Sequence, residues 1–228
     1  MPKYRLEYAK QDIARFLSHR ELMTTLQRAL RRASFPLTYS KGYNQRPKFS
    51  FGPPLGVGAA GLREYMDLEL DEDIQTIEDY LERLNRQLLS GIRAHRLVLV
   101  PPGDIGLGKL INCARYLVEL SSDDYAADWD QLFNDIKSVE SWYYERPHDG
   151  KVFDVSAAII ESGCYHEGGR FYLEFLMKVG RGEVPVRGLL DLIIKAGTKP
   201  LLLSRLTRTG LFRLEGNRLI DPLGQIEN

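Results

Sequence analysis

A chain of 228 residues suffices for one large domain or for two of about 100 residues each, and two are expected here. Its 43% hydrophobic and 27% charged residues exclude the disordered class, and no apolar run approaches the roughly 18 residues that cross a bilayer. The net charge is zero, yet residues 1–63 hold twelve Lys/Arg against Glu7, Asp12 and Glu21, a surplus that the remainder cancels with acids. The front of the chain is thereby suited to anions. The start, MPKYRLEYAK, is charged where a secretory leader needs an apolar stretch, so a cytoplasmic protein is expected.

In chain order, Tyr4–Ala9 alternates polar and apolar residues and predicts a strand. Ser18 and Glu21 have the spacing of a capping box, in which each side chain satisfies an amide of the first helical turn. Leu22, Leu26, Ala29, Leu30 and Ala33 then recur at helical spacing, and Arg28, Arg31 and Arg32 complement the negative end of the helix dipole. Phe35-Pro36 closes this helix. Leu37–Ser40 and Lys48–Phe51 predict short strands around a segment that is basic, aromatic and glycine-rich, SKGYNQRPKFSFGPPLGVGAAG, residues 40–61. Glu64–Leu70 predicts an alternating strand, Ile74–Ser90 a second helix and Ala94–Val100 a returning strand. This order is the split βαβ, or ferredoxin-like, plan, with an antiparallel sheet and both helices on one face.

Pro101–Lys109, PPGDIGLGK, has the composition of a connector. The pattern then restarts: a strand over Arg115–Leu120, a helix marked by Trp129, Leu132, Phe133 and Ile136, and strands Val152–Glu161 and Arg170–Val179 paired across GCYHEGG. A helix over Val186–Ala196 and strands over Leu202–Leu214 complete it. The expected fold is therefore α+β, with tandem ferredoxin-like units at residues 1–101 and 110–228.

Within residues 40–61, glycines allow close backbone approach, prolines stiffen the path, and Lys41, Arg46 and Lys48 supply cationic donors. Tyr43 is placed to stack on a base, whereas Phe49 and Phe51, on one side of a strand, are as well explained by burial. GVGAAG spells GxGxxG but precedes a strand instead of opening a helix, which excludes a dinucleotide site. No Ser-His-Asp grouping assembles by spacing. Cys113 and Cys164 form no CxxC and are expected to be buried and inert, and Cys164 with His166 lacks further metal ligands. His19, in the first helical turn, is the one candidate for acid–base chemistry. Arg205, Arg208 and Arg213 fit either a second basic strip or, the favoured reading, a plain strand surface.

The stretch RFLSHRELMTTLQRALRRASFPLTYSKGYNQRPKFSFGPPLGVG, Arg15–Gly58, resembles an uncharacterised family of radical-SAM-associated proteins. The shared pattern is LSH-x-(D/E)-L, an ALRRA-type helix, and Y-S-x-G-(F/Y)-N-x-R-P-x-x-S-F-G-x-x-L; Gln45 departs from it where proline is frequent. Members are similar to the C-terminal extension of radical-SAM proteins with a cobalamin-binding domain, or are separate chains encoded beside them, near genes for ribonuclease E/G and a ribosomal protein. The resemblance implies an accessory or substrate-presenting subunit whose partners are a radical-SAM, cobalamin-binding protein and RNA or a ribosomal component. The chain has no CxxxCxxC with which to hold a radical-SAM cluster, so no cofactor or metal is expected on it and radical chemistry falls to the partner. The binding residues expected are Lys41, Tyr43, Asn44, Arg46 and Lys48 of the loop and Arg28, Arg31 and Arg32 of the helix. Two alternatives stay open: an RNA-processing or RNA-modifying enzyme using His19, for which the repeat-RNA endonucleases of CRISPR systems offer a fold-level analogy, and a protein–protein adaptor.

Overall fold

The computed structural model describes residues 1–121, 142–147, 149–168, 170–180, 184–196 and 202–227. They fall into two compact units, Met1–Ile111 with Arg208–Asn228, and Asn112–Thr207. The first unit thus takes back the end of the chain, where the sequence pattern placed residues 110–228 together. The cause is a single long strand, Leu202–Glu215, that passes out of the second unit and into the first.

Unit 1 contains β1 (Lys3–Lys10), a 3-10 turn (Asp12–Phe16), α1 (His19–Arg32), β2 (Phe49–Phe51), β3 (Ala60–Glu69), α2 (Ile77–Gln87) and β4 (Ile92–Val100). The sheet order is β4-β1-β3, with β2 also on β3, and every pairing among these four strands is antiparallel. This is the ferredoxin-like order. Both halves of the Ser18–Glu21 capping box are present: Ser18 Oγ accepts from the Glu21 amide and the Glu21 carboxylate accepts from the Ser18 amide at 2.8 Å. The predicted stripe Leu22, Leu26, Ala29 and Leu30 packs on Tyr4, Leu6, Met66 and Leu68 of the sheet. α2 is shorter than its apolar period suggested. Ile74 is already in the core before the helix starts, its amide held by the Tyr4 hydroxyl at 3.0 Å, and Leu88 is extended. The connector carries a one-turn helix, α3 (Leu107–Leu110), because Leu107 and Leu110 turn inward.

Alternation along β1 and β3 sends Arg5, Glu7, Tyr65 and Asp67 to the face opposite the helices. There they are buried, not solvated. Arg5 binds Asp67 at 2.7 Å and the Pro222 carbonyl at 2.6 Å, Tyr65 donates to Glu7 at 2.8 Å, and Arg96 bridges Glu7 and Asp221. The residues after β10 (Leu202–Glu215), namely β11 (Arg218–Ile220), the Asp221 turn and β12 (Ile226–Glu227), supply the matching groups. Arg208 corrects the expectation of a basic strand surface. It is 1% exposed, forks onto the Glu64 carboxylate with Nε 2.8 Å from Oε1, and reaches the Pro53 carbonyl at 2.7 Å.

Unit 2 contains β5 (Cys113–Ser121), β6 (Tyr143–Glu145), β7 (Val152–Asp154), β8 (Ile159–Glu167), β9 (Arg170–Lys178) and α4 (Val186–Ala196). With β10 its order is β10-β5-β9-β8, which again places the first strand between the fourth and the third. The predicted helix around Trp129–Ile136 lies outside the described residues. The segment GCYHEGG is not the loop its glycines implied: β8 runs through to Glu167, opposite Arg170, because Tyr165 stacks on Tyr172 across the strands with centroids 4.9 Å apart. The start of the expected strand at Val152 instead forms a hairpin with Tyr143–Glu145. Cys113 is buried, whereas Cys164 is half-buried on β8.

Replacing Arg208 by alanine leaves the Glu64 charge buried and unpaired, and is expected to cost about 3–5 kcal/mol in urea unfolding. Glu64→Leu combined with Arg208→Met is expected to cost less than that single change.

Candidate functional site

The basic loop stands on a stalk. Leu37 bridges Leu70 and Tyr39 bridges Pro47, the Thr38 amide donates to the Glu69 carbonyl at 3.0 Å, and the Lys48 amide donates to the Thr38 carbonyl at 2.9 Å. At its top the Ser40 amide meets the Arg46 carbonyl at 2.8 Å, and the Arg46 amide meets Ser40 Oγ at 3.0 Å. The turn between them needs Gly42, whose φ of +128° is disfavoured for any residue with a Cβ. Lys41, Tyr43, Asn44 and Arg46 are all exposed, and their side chains have no hydrogen-bond or ion-pair partner among the described residues. A braced backbone therefore presents one ring, one amide and two cations to solvent.

α1 contributes beside this stalk. Arg31 donates from Nε to the Tyr39 hydroxyl at 3.1 Å and lies 5.4 Å from the centroid of that ring. Arg28 is exposed one turn earlier. Arg32 is turned away, with its guanidinium on the side chain and carbonyl of Gln87 at the end of α2. Next to the stalk runs a groove of about 480 Å³, lined by Lys3, Ser40, Arg46, Lys48, Phe49 and Glu69 among others. Its carboxylates are already met, Asp67 by Arg5 and Glu69 by Lys48 at 2.8 Å. Lys3 and Arg46 thus leave it net positive. Phe49 and Phe51 pack against the hydrophobic core.

His19 does not join this group. It opens α1 while Arg31 closes it, roughly 18 Å apart at 1.5 Å per residue. Its ring meets Phe51 edge-on, with centroids 5.4 Å apart, near a buried cluster that the sequence pattern did not reveal. Lys10, at the end of β1, is 1% exposed and donates to the Leu17 carbonyl at 2.8 Å. Burial lowers the Lys10 ammonium pKa, with Glu64 opposing and Arg208 adding to the shift. Burial also raises the Tyr8 phenol, helped by Glu64. For His19, burial and then the charge of Lys10 lower the imidazole pKa below its usual 6.5, which keeps the ring neutral at neutral pH. A lysine closing an alternating strand has no sequence signal that separates it from a surface lysine; the carbonyl that holds it is seven residues on in a turn.

These features define a two-unit α+β protein with a cationic, aromatic-tipped loop on its first unit. The chain belongs to the family described as "Uncharacterized protein conserved in bacteria (DUF2344)", whose pattern matches residues 3–186. Among curated proteins none matches it. Among solved structures it is similar to a chain of a Cbf5-Nop10-Gar1 complex, at 12% identity and a TM-score of 0.55 over 91% of this chain and 48% of that one. A chain of the archaeal box H/ACA sRNP Nop10-Cbf5 complex is similar at 12% identity and a TM-score of 0.51, over 91% and 47%. The chain spans about half the length of these two, and at such identity the likeness shows the fold alone. Among the described residues, no helix is long and apolar enough to cross a membrane.

Because the folded state disfavours protonated His19, the stability this residue lends is complete above pH 6.5 and is lost as the pH falls toward its lowered pKa. An NMR titration of the imidazole is expected to show a midpoint below 6.5, and His19→Gln is expected to remove that share of the acid sensitivity of unfolding.

Proposed function

We propose that this chain is a non-catalytic accessory subunit of a radical-SAM system that binds RNA, or another phosphate-rich partner, through the basic loop of residues 40–61. One observation carries the reading: Lys41 and Arg46 project from a hydrogen-bonded stalk without hydrogen-bond or ion-pair partners among the described residues, beside a groove whose carboxylates are already neutralised. Unpaired cations held on a rigid base favour a polyanion, since phosphate neutralisation supplies most of non-specific nucleic-acid affinity. Arg31 and Arg28 extend the positive surface along α1, and Lys48 lines the groove while paired to Glu69. The radical-SAM partner rests on the resemblance of Arg15–Gly58 to the family pattern. An association with RNA also accords with one of the similar structures being described as an sRNP.

A second reading draws on the His19 end of α1. A neutral imidazole beside a buried lysine suits a general base in RNA processing, so His19→Ala is the comparison to make in any cleavage assay.

The first reading is tested by the salt dependence of RNA binding. Wild-type affinity is expected to fall steeply with salt, and Lys41→Ala with Arg46→Ala to flatten the log–log slope by about 1.4, since each neutralised phosphate of a single strand contributes about 0.7. An unchanged slope would show that the loop is not the contact. Association with the radical-SAM protein is expected to survive nuclease treatment during co-purification.

A further inference from the structure

We infer that the loop takes an unpaired RNA segment and stacks one base on Tyr43, an inference that rests on the RNA-binding reading above. The starting point is that nothing in the fold accounts for this ring. Tyr43 has a relative exposure of 103%, so neither face of its phenol touches the protein. The other tyrosine of the stalk, Tyr39, shows the usual arrangement, with its hydroxyl bonded to Arg31 and its ring under that guanidinium. A tyrosine left wholly in water forfeits the burial that aromatic side chains normally gain.

The surroundings point to the ligand. Lys41 and Asn44 flank the ring in sequence and Arg46 follows two residues later, all exposed and unpartnered among the described residues. Cations around an open ring are the pattern of single-strand recognition, in which phosphates are neutralised while a base lies on a π-face. Asn44 adds an amide that both donates and accepts, as the exposed edge of an unpaired base requires. The paired amides of Ser40 and Arg46 and the Tyr39–Pro47 bridge brace the backbone at the base of the turn that carries the ring, which reduces the backbone ordering left to binding. A duplex meets this loop differently. Its base faces are covered by their neighbours and the major groove of A-form RNA is too narrow for side chains, so only the cations would engage and Tyr43 would be indifferent.

The test is fluorescence anisotropy with a labelled oligo(U) and with a blunt RNA duplex, at one salt concentration, for wild type, Tyr43→Phe and Tyr43→Ala. Tyr43→Ala is expected to weaken oligo(U) binding about tenfold and to leave duplex binding unchanged, with Tyr43→Phe close to wild type. Full exposure of the ring makes loss of folding by these variants unexpected, and equal urea midpoints confirm it. If oligo(U) binding is insensitive to Tyr43, or the alanine change weakens oligo(U) and duplex equally, the inference falls while the salt-dependent loop reading stands. If neither RNA binds while the radical-SAM protein still co-purifies through this loop, both fall and the ring is a protein contact.

Discussion

The structure of unit 1 depends on a guanidinium taken out of water. Arg208 arrives from the far end of the chain and must be fully satisfied, since a buried charge without partners costs several kcal/mol. Glu64 of β3 and the Pro53 carbonyl meet it together, so β3 and the segment after β2 are both tied to one planar group, 144 and 155 residues downstream. The consequence reaches the loop. β2 ends two residues before Pro53, and the stalk that carries Lys41–Arg46 leads directly into β2. The same pair explains part of the GVGAAG spelling: a Cβ on Gly61 would come within 2.5 Å of the Glu64 carboxylate, so the glycine clears space for an ion pair and not for a nucleotide.

The positive surplus of the first 63 residues therefore has two destinies. Arg5, Lys48 and Arg63 are matched with Asp67, Glu69 and Glu227, acids that the linear count assigned to the rest of the chain. Burial, the largest influence, pulls the Arg63 pKa down, but the hydrogen bond and charge of Glu227 with the nearby Tyr65 and Glu7 together outweigh it and the guanidinium is held charged. Lys10 goes inside. What is left for a partner is narrower than the sequence suggested: Lys3 in the groove, Arg15 over the Phe16 ring, Arg20 and Arg28 on the open side of α1, Arg31 against the stalk, and Lys41 and Arg46 on the loop. Selection of these out of twelve is done by the tertiary pairing, which gives the remaining cations a definite location in place of a diffuse field.

Local signals carried most of the elements. The capping box fixed the start of α1, period-2 alternation placed β1 and β3, and the order strand, helix, strand pair, helix, strand was enough for the ferredoxin-like plan of unit 1. The misses share a physical cause. Arg208 and Lys10 looked like surface because charge is normally solvated, and only partners far away in the chain overturn that prior: Glu64 lies 144 residues from Arg208. GCYHEGG looked like a turn because composition weighs glycine heavily, whereas the cross-strand contact of Tyr165 with Tyr172 extends the ladder through it. For the site, the loop residues were legible from composition, but the division between Arg31, which joins the stalk, and Arg32, which secures α2, depends on where α2 ends.

The route of β10 has a bearing on how the molecule is made. A ribosome delivers Met1–Ile111 first, then all of Asn112–Thr207, and only afterwards the strand and turn that complete the earlier unit. Until then Arg5 lacks the Pro222 carbonyl, 217 residues downstream, and Glu64 sits without its guanidinium. Closing so long a circuit is entropically slow. The nascent front half must therefore wait with Glu64 unmatched, while Asp67 and Glu7 already have Arg5, Tyr65 and Arg96, and the intervening unit gains the opportunity to mature before the unit that brackets it.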